Sequence, residues 1–122
     1  MRTLSIPALA LTALSLTAAP QVRAQAGPGT YSSVRAINLA RNTAVKLNGG
    51  LTVYRPAACM FNTDFSGGSC LVQTNSDGYV YKFLGGAPGW QQLGLPATTE
   101  TELLISPDGR TVVNLLYNGA PR

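Results

Sequence analysis

The chain has 122 residues, nine Lys or Arg against five Asp or Glu, 45% hydrophobic residues and no histidine. That length suits one domain of ordinary size. The missing imidazole excludes Ser-His-Asp and Cys-His catalysis, and with them the usual side-chain base near neutral pH.

Residues 1–26 read as a secretory signal peptide. Met1-Arg2-Thr3 gives a positive start, and residues 4–19 form an uncharged, mostly apolar run. Val22-Arg23-Ala24 or Ala24-Gln25-Ala26 then offers a small-residue cleavage site. The run falls short of the ~20 residues a bilayer-spanning helix needs, and Pro7 interrupts it. Trimming after Ala26 leaves 96 of the 122 residues and, by removing Arg2 and Arg23, lowers the formal charge from +4 to +2. So small a positive charge does not point to nucleic acid. The expectation is an exported domain over 27–122, working in the periplasm, the medium or an equivalent lumen.

From about Ser32 to Asn48, Ile37, Ala40, Ala44 and Leu47 recur at three- and four-residue steps, the pattern of an amphipathic helix. Thr30, Ser32 and Ser33 are candidate caps, and Asn48-Gly49-Gly50 is a stop signal. Arg35, Arg41 and Lys46 lie on this helix without any acidic neighbour. The ordinary meaning is a solvated polar face. The functional alternative is contact with an acidic partner or an anionic membrane surface, modest in strength and sensitive to salt.

Residues 51–55 form a short β-favouring run that Pro56 is expected to end. Cys59 and Cys70 follow, the only two cysteines. In an exported chain an even count reads as a bridge. Their wide spacing does not suit a thiol-redox centre, and two cysteines without histidine cannot supply the four ligands of a structural zinc site. Within the loop, Met60, Phe61 and Phe65 are expected to tuck underneath as a small satellite core. Alternatively, Phe61 or Phe65 anchors a ligand from a loop whose ordering cost the bridge has lowered.

Residues 70–74 and 79–84 flank the turn signal Asn75-Ser76-Asp77-Gly78, and residues 102–106 and 110–117 flank Pro107-Asp108-Gly109. Two Asp-Gly hairpins after one helix predict an α+β fold: an N-terminal amphipathic helix packed on an antiparallel sheet of about five strands. Tyr79, Tyr81 and Phe83 share one strand face. Such a row can stack sugars or bases, but a helix-covered face looks the same and is the expected reading. Trp90 stands in a Gly/Pro-rich connection, residues 85–96, either closing one end of the core or offering an interface anchor.

Little in the chain can carry chemistry. No phosphate-binding glycine loop precedes Lys46 or Lys82, and the scattered acids form no calcium loop, so neither cofactor nor metal is expected. Glu100 and Glu102, two apart on a strand, resemble a hydrolytic carboxylate pair in spacing. Neighbours on one strand, however, point in parallel rather than across a cleft, and alternating Thr and Glu suits an edge strand.

The reading that remains is a small, non-enzymatic binding or accessory protein of the cell envelope. Its contacts would run through loop 59–70, with Phe61 and Phe65, and through Trp90. Arg35, Arg41 and Lys46 are further candidates, and the partner would be a protein or small ligand outside the cytoplasm. The alternatives are a carboxylate-dependent hydrolase using Glu100 and Glu102 or Asp64, and a structural envelope protein held to anionic surfaces by the helix. Labelling of the native protein under denaturing conditions should find no free thiol. Reduction should lower its stability in urea by about 2.8 kcal/mol, the loop-closure entropy of residues 59–70. Two labelled thiols per chain before reduction would contradict the bridge.

Overall fold

The computed structural model describes Thr3 and residues 31–122; apart from Thr3, the leader expected over residues 1–26 lies outside the described residues. One helix, α1 (Ser32–Leu47), packs on a five-stranded antiparallel sheet: β1 (Arg55–Pro56), β2 (Leu71–Asn75), β3 (Gly78–Gly86), β4 (Thr99–Ile105) and β5 (Val112–Gly119). No helix among the described residues is long and apolar enough to cross a membrane.

The buried stripe of α1 is Ser32, Ser33, Ala36, Ile37, Ala40 and Ala44. Its three- and four-residue steps are those the sequence predicts. Leu47, expected on the same stripe, is 46% exposed, because it is the last helical residue and the chain turns away at Asn48. Tyr31 occupies the N-cap without a side-chain hydrogen bond, and the two serines are drawn into the interface with the sheet instead. The C-terminus stops as expected. Gly49 takes φ 99°, the Gly50 N–H bonds the Val45 carbonyl at 2.9 Å, and the Asn48 N–H bonds that of Ala44 at 3.1 Å.

The inner sheet face meets this stripe. Tyr79, Tyr81 and Phe83 of β3 and Thr101, Leu103 and Ile105 of β4 are all buried there, so the aromatic row is core, as expected. Full burial of a large apolar side chain is worth about 1.5–3 kcal/mol, which makes this face the main source of stability. Pairing spares the hydroxyls of Tyr79 and Tyr81 the desolvation cost of burial there. Tyr79 Oη shares a 2.7 Å hydrogen bond with Ser32 Oγ, and Tyr81 Oη donates to the Ser33 carbonyl at 3.4 Å. Burial pushes the Tyr81 phenol well above its usual range, so it stays neutral.

Both hairpins form where the turn signals lie. Asn75 Oδ1 accepts the Asp77 N–H at 2.8 Å, with Asn75 opposite Gly78. In the second hairpin the Gly109 N–H bonds the Ser106 carbonyl at 2.8 Å, and Gly109 takes φ 74°. Two expectations need correction. Residues 51–53 form a turn, with the N–H groups of Val53 and Tyr54 both on the Gly50 carbonyl, and only Arg55 and Pro56 join the sheet. Proline is tolerated there because β1 is an edge. The Thr-Glu-Thr-Glu run belongs to β4, which lies between β3 and β5 and is no edge strand.

β1 and β2 occupy the same edge of β3. Arg55 and Pro56 stand opposite Gly86 and Gly85, the Ala57 N–H bonds the Leu84 carbonyl, and the Lys82 N–H bonds that of Cys70. Leu71 then faces Tyr81. Together they make one edge strand interrupted by an excursion over residues 58–69, which opens with a 3-10 turn, Ala58–Phe61. The Cys59–Cys70 disulfide closes the neck of that excursion.

The tip of the second hairpin rests on the first turn of α1. A Cβ on Gly109 would collide with the Ser32 carbonyl, whereas one on Gly94, at a similar φ of 67°, would meet open space. Gly94→Ala should therefore cost only the left-handed penalty, about 1 kcal/mol. Gly109→Ala should add an overpacking term and cost about 3 kcal/mol in all. Urea denaturation of the two variants measures the difference; equal losses would show that the hairpin tip is not packed on the helix.

Candidate functional site

The excursion and the β3–β4 connection enclose an open cleft of about 650 Å³, lined by Arg55, Pro56, Ala58, Phe61 and residues 88–93. Its size is ordinary for a small-ligand site. One wall is held by the bridged neck, since Phe61 closes the 3-10 turn that carries Cys59. The other is a compact loop pinned by its own backbone. There the Trp90 N–H bonds the Ala87 carbonyl at 3.0 Å, and the Leu95 N–H bonds that of Trp90 at 2.8 Å.

Side chains stitch the two walls together. Trp90 Nε1 donates to the Arg55 carbonyl at 2.9 Å, and Gln91 Oε1 accepts the Ala58 N–H at 2.7 Å. The glycine pair at the end of β3 makes room for this. A Cβ on Gly86 would press into the Trp90 ring, and one on Gly85 into the Tyr54 ring. Successive strand positions point to opposite faces, so the two rings cover the two sides of the strand end.

Phe61 and Trp90, nominated separately by the sequence, thus line the same cleft. They differ in exposure. Trp90 is 8% exposed and mostly wall, whereas Phe61 is 54% exposed. Phe65, at 68%, is also exposed and does not line the cleft. The expected satellite core therefore holds for Met60 alone, which is buried. The excursion projects from a sheet edge, where only its neck has core to lean on.

The three helix cations do not form one free face. Arg35 Nε donates to the Asp108 carbonyl at 3.0 Å and so ties α1 to the second hairpin. Arg41 Nη1 donates to the Met60 carbonyl at 3.2 Å, and its guanidinium lies 4.9 Å from the Phe61 ring centre. Burial pulls the Arg41 pKa down from its ordinary value. Lys46 is exposed and away from the cleft.

Glu100 and Glu102 lie on one face of β4 and share a cation. Arg122 Nε bonds Glu100 at 2.6 Å and its Nη2 bonds Glu102 at 3.0 Å, with the guanidinium stacked 3.6 Å from the Tyr117 ring centre. The hydrogen bond from Arg122 holds the Glu100 carboxyl below the usual carboxylate range. A carboxylate so placed is a poor proton donor. Asp64 stands exposed on the excursion, and none of the five acidic residues lines the cleft.

Arg55, Gln91 and Gln92 are the cleft residues that sequence reasoning passed over. The one available signal was two consecutive carboxamides directly after the lone tryptophan.

The Glu100–Arg122 contact makes stability depend on pH with a definite sign. A carboxyl whose folded pKa is depressed stabilises the fold above its unfolded value, and that contribution disappears as pH falls through the folded value. The melting temperature of Glu100→Gln should therefore trail the parent at pH 6, and the gap should begin to narrow near pH ~4, where the unfolded carboxyl gains its proton, and close at lower pH as the folded carboxyl gains its own. A gap that stays constant down to pH 2 would mean that the charge of Glu100 is irrelevant. No protein-family model, curated protein or solved structure matches this chain.

Proposed function

We propose that the protein is a small exported binding module of the cell envelope, and that the cleft between the bridged excursion and the Trp90 loop holds its ligand. One observation carries this reading. An exposed aromatic ring, a tryptophan wall and three amide- or guanidinium-bearing side chains converge on a single concave surface that no carboxylate lines. Convergent polar groups on an apolar floor are the usual composition of a ligand site.

Export is supported by the leader-like start of the chain, and a Cys59–Cys70 disulfide is consistent with an oxidising compartment. The alternatives gain less support. The hydrolase reading needs two carboxylates facing across a cleft, whereas Glu100 and Glu102 stand side by side on a shared arginine. Attachment through the helix cations needs a free basic face, and two of the three are engaged in holding loops.

A fragment screen by NMR on the ¹⁵N-labelled full chain tests the site. Trp90 is the only tryptophan, so one indole cross-peak reports on it. Hits should cluster on residues 55–61 and 88–93, and Phe61→Ala should weaken them by roughly 1 kcal/mol or more, the loss typical of an aromatic contact. Hits scattered over the surface, or none at the cleft, would refute the assignment.

A further inference from the structure

We propose that the cleft takes an acidic oligosaccharide, with a sugar ring laid on Phe61 and a carboxylate held by Arg55. This rests on the binding reading above and adds the class of ligand.

Much of the backbone around the cleft is already engaged, although the N–H groups of Gly89, Gln91 and Gln92 have no partner among the described residues. Pro56 and Pro88 have no N–H at all. The N–H groups of Ala57, Ala58, Trp90 and Leu93 are already bonded, to the Leu84 carbonyl, Gln91 Oε1, and the Ala87 and Gly89 carbonyls respectively. An extended peptide adds to a sheet through main-chain hydrogen bonds, and the sheet edge at this cleft is only the two residues of β1, Arg55 and Pro56. The indole N–H of Trp90 is likewise engaged, on the Arg55 carbonyl, so it cannot serve a proline-rich segment.

What faces the cleft unengaged is side-chain chemistry. Arg55 is braced by its Nε on the Leu51 carbonyl at 2.9 Å, and among the described residues its two terminal nitrogens have no partner. Gln91 is oriented through its Oε1, which leaves its NH₂, and Gln92 brings a second carboxamide. A carboxamide is both donor and acceptor, as is a sugar hydroxyl, so the two pair in either sense. Phe61 supplies a ring for the C–H face of a pyranose, a weak contact that adds to the burial of apolar surface. The Arg41 guanidinium covers that ring from the helix side and holds it in place.

Charge selects the acidic member of the class. With Arg55 in the wall, Arg41 beside Phe61 and no carboxylate lining the cleft, the local field favours an anion. A planar carboxylate matches the paired terminal nitrogens of a guanidinium.

Titration of the ¹⁵N-labelled full chain with tetragalacturonic acid, with its fully methyl-esterified form and with a proline-rich decapeptide tests the class. The acid should shift the Trp90 indole and the Gln91 and Gln92 side-chain amides. The ester has the same rings without the charge and should bind about tenfold more weakly, as the loss of one charge-assisted hydrogen bond implies. Arg55→Gln and Phe61→Ala, at exposed positions that should leave the rest of the spectrum unmoved, should each weaken the acid by about tenfold. Equal binding of acid and ester, or no response to either, would overturn the proposal. A response to the decapeptide alone would overturn the saccharide class while leaving the cleft as the site; a fragment screen that misses the cleft would sink both.

Discussion

Two tyrosine hydroxyls buried beneath one helix are the constraint that orders this molecule. Tyr79 and Tyr81 put their rings in the core, and a buried hydroxyl without a partner would cost about as much as the ring's burial brings. The first turn of α1 resolves this with Ser32 Oγ and the Ser33 carbonyl. Ala36, Ala40 and Ala44 then keep the helix thin enough to lie close along the rest of the row. Once α1 is fixed, its polar residues become ties. Arg35 reaches the second hairpin, Arg41 the 3-10 turn and Asn48 the side chain of Asn118 in β5. What reads in the sequence as a solvated basic face is largely the set of contacts by which the helix positions the loops around it.

Legibility in the sequence follows the distance over which each feature is determined. The helix and the two hairpins rest on signals within a few residues, and all are found where those signals lie. The edge strand is different. β1 and β2 pair with β3 and not with each other, so nothing local to residues 51–57 or 70–75 shows that they continue one another across an excursion. The run at 51–55 had strand-like residues, but only Arg55 of it lies against β3, followed by Pro56; the turn that Gly50 accepts takes residues 51–53. The aromatics of the loop were misplaced for a related reason. Apolar character predicts burial only where there is core to bury against, and past Met60 the excursion has left the sheet. Phe61 and Trp90 could each be nominated by type, yet that they meet, and that Arg55, Gln91 and Gln92 stand with them, follows only from the fold.

The cleft is made of loop residues, but both loops are tied down. Its first wall is bound at the neck by the disulfide, its second by turns and by Thr98 on the Gly85 carbonyl, and the two are joined through Trp90 and Gln91. Each of these contacts belongs to the fold itself, so a ligand bound as proposed would cost little further loop ordering. The distribution of charge points the same way. Arg122 pairs with the two glutamates of β4, while Arg55, braced through its Nε on the Leu51 carbonyl, is exposed in the cleft lining. Among the described residues this cation has no counter-ion, and it lines the same cleft as the exposed Phe61 ring. On the proposed reading, what it contributes is complementarity to the ligand.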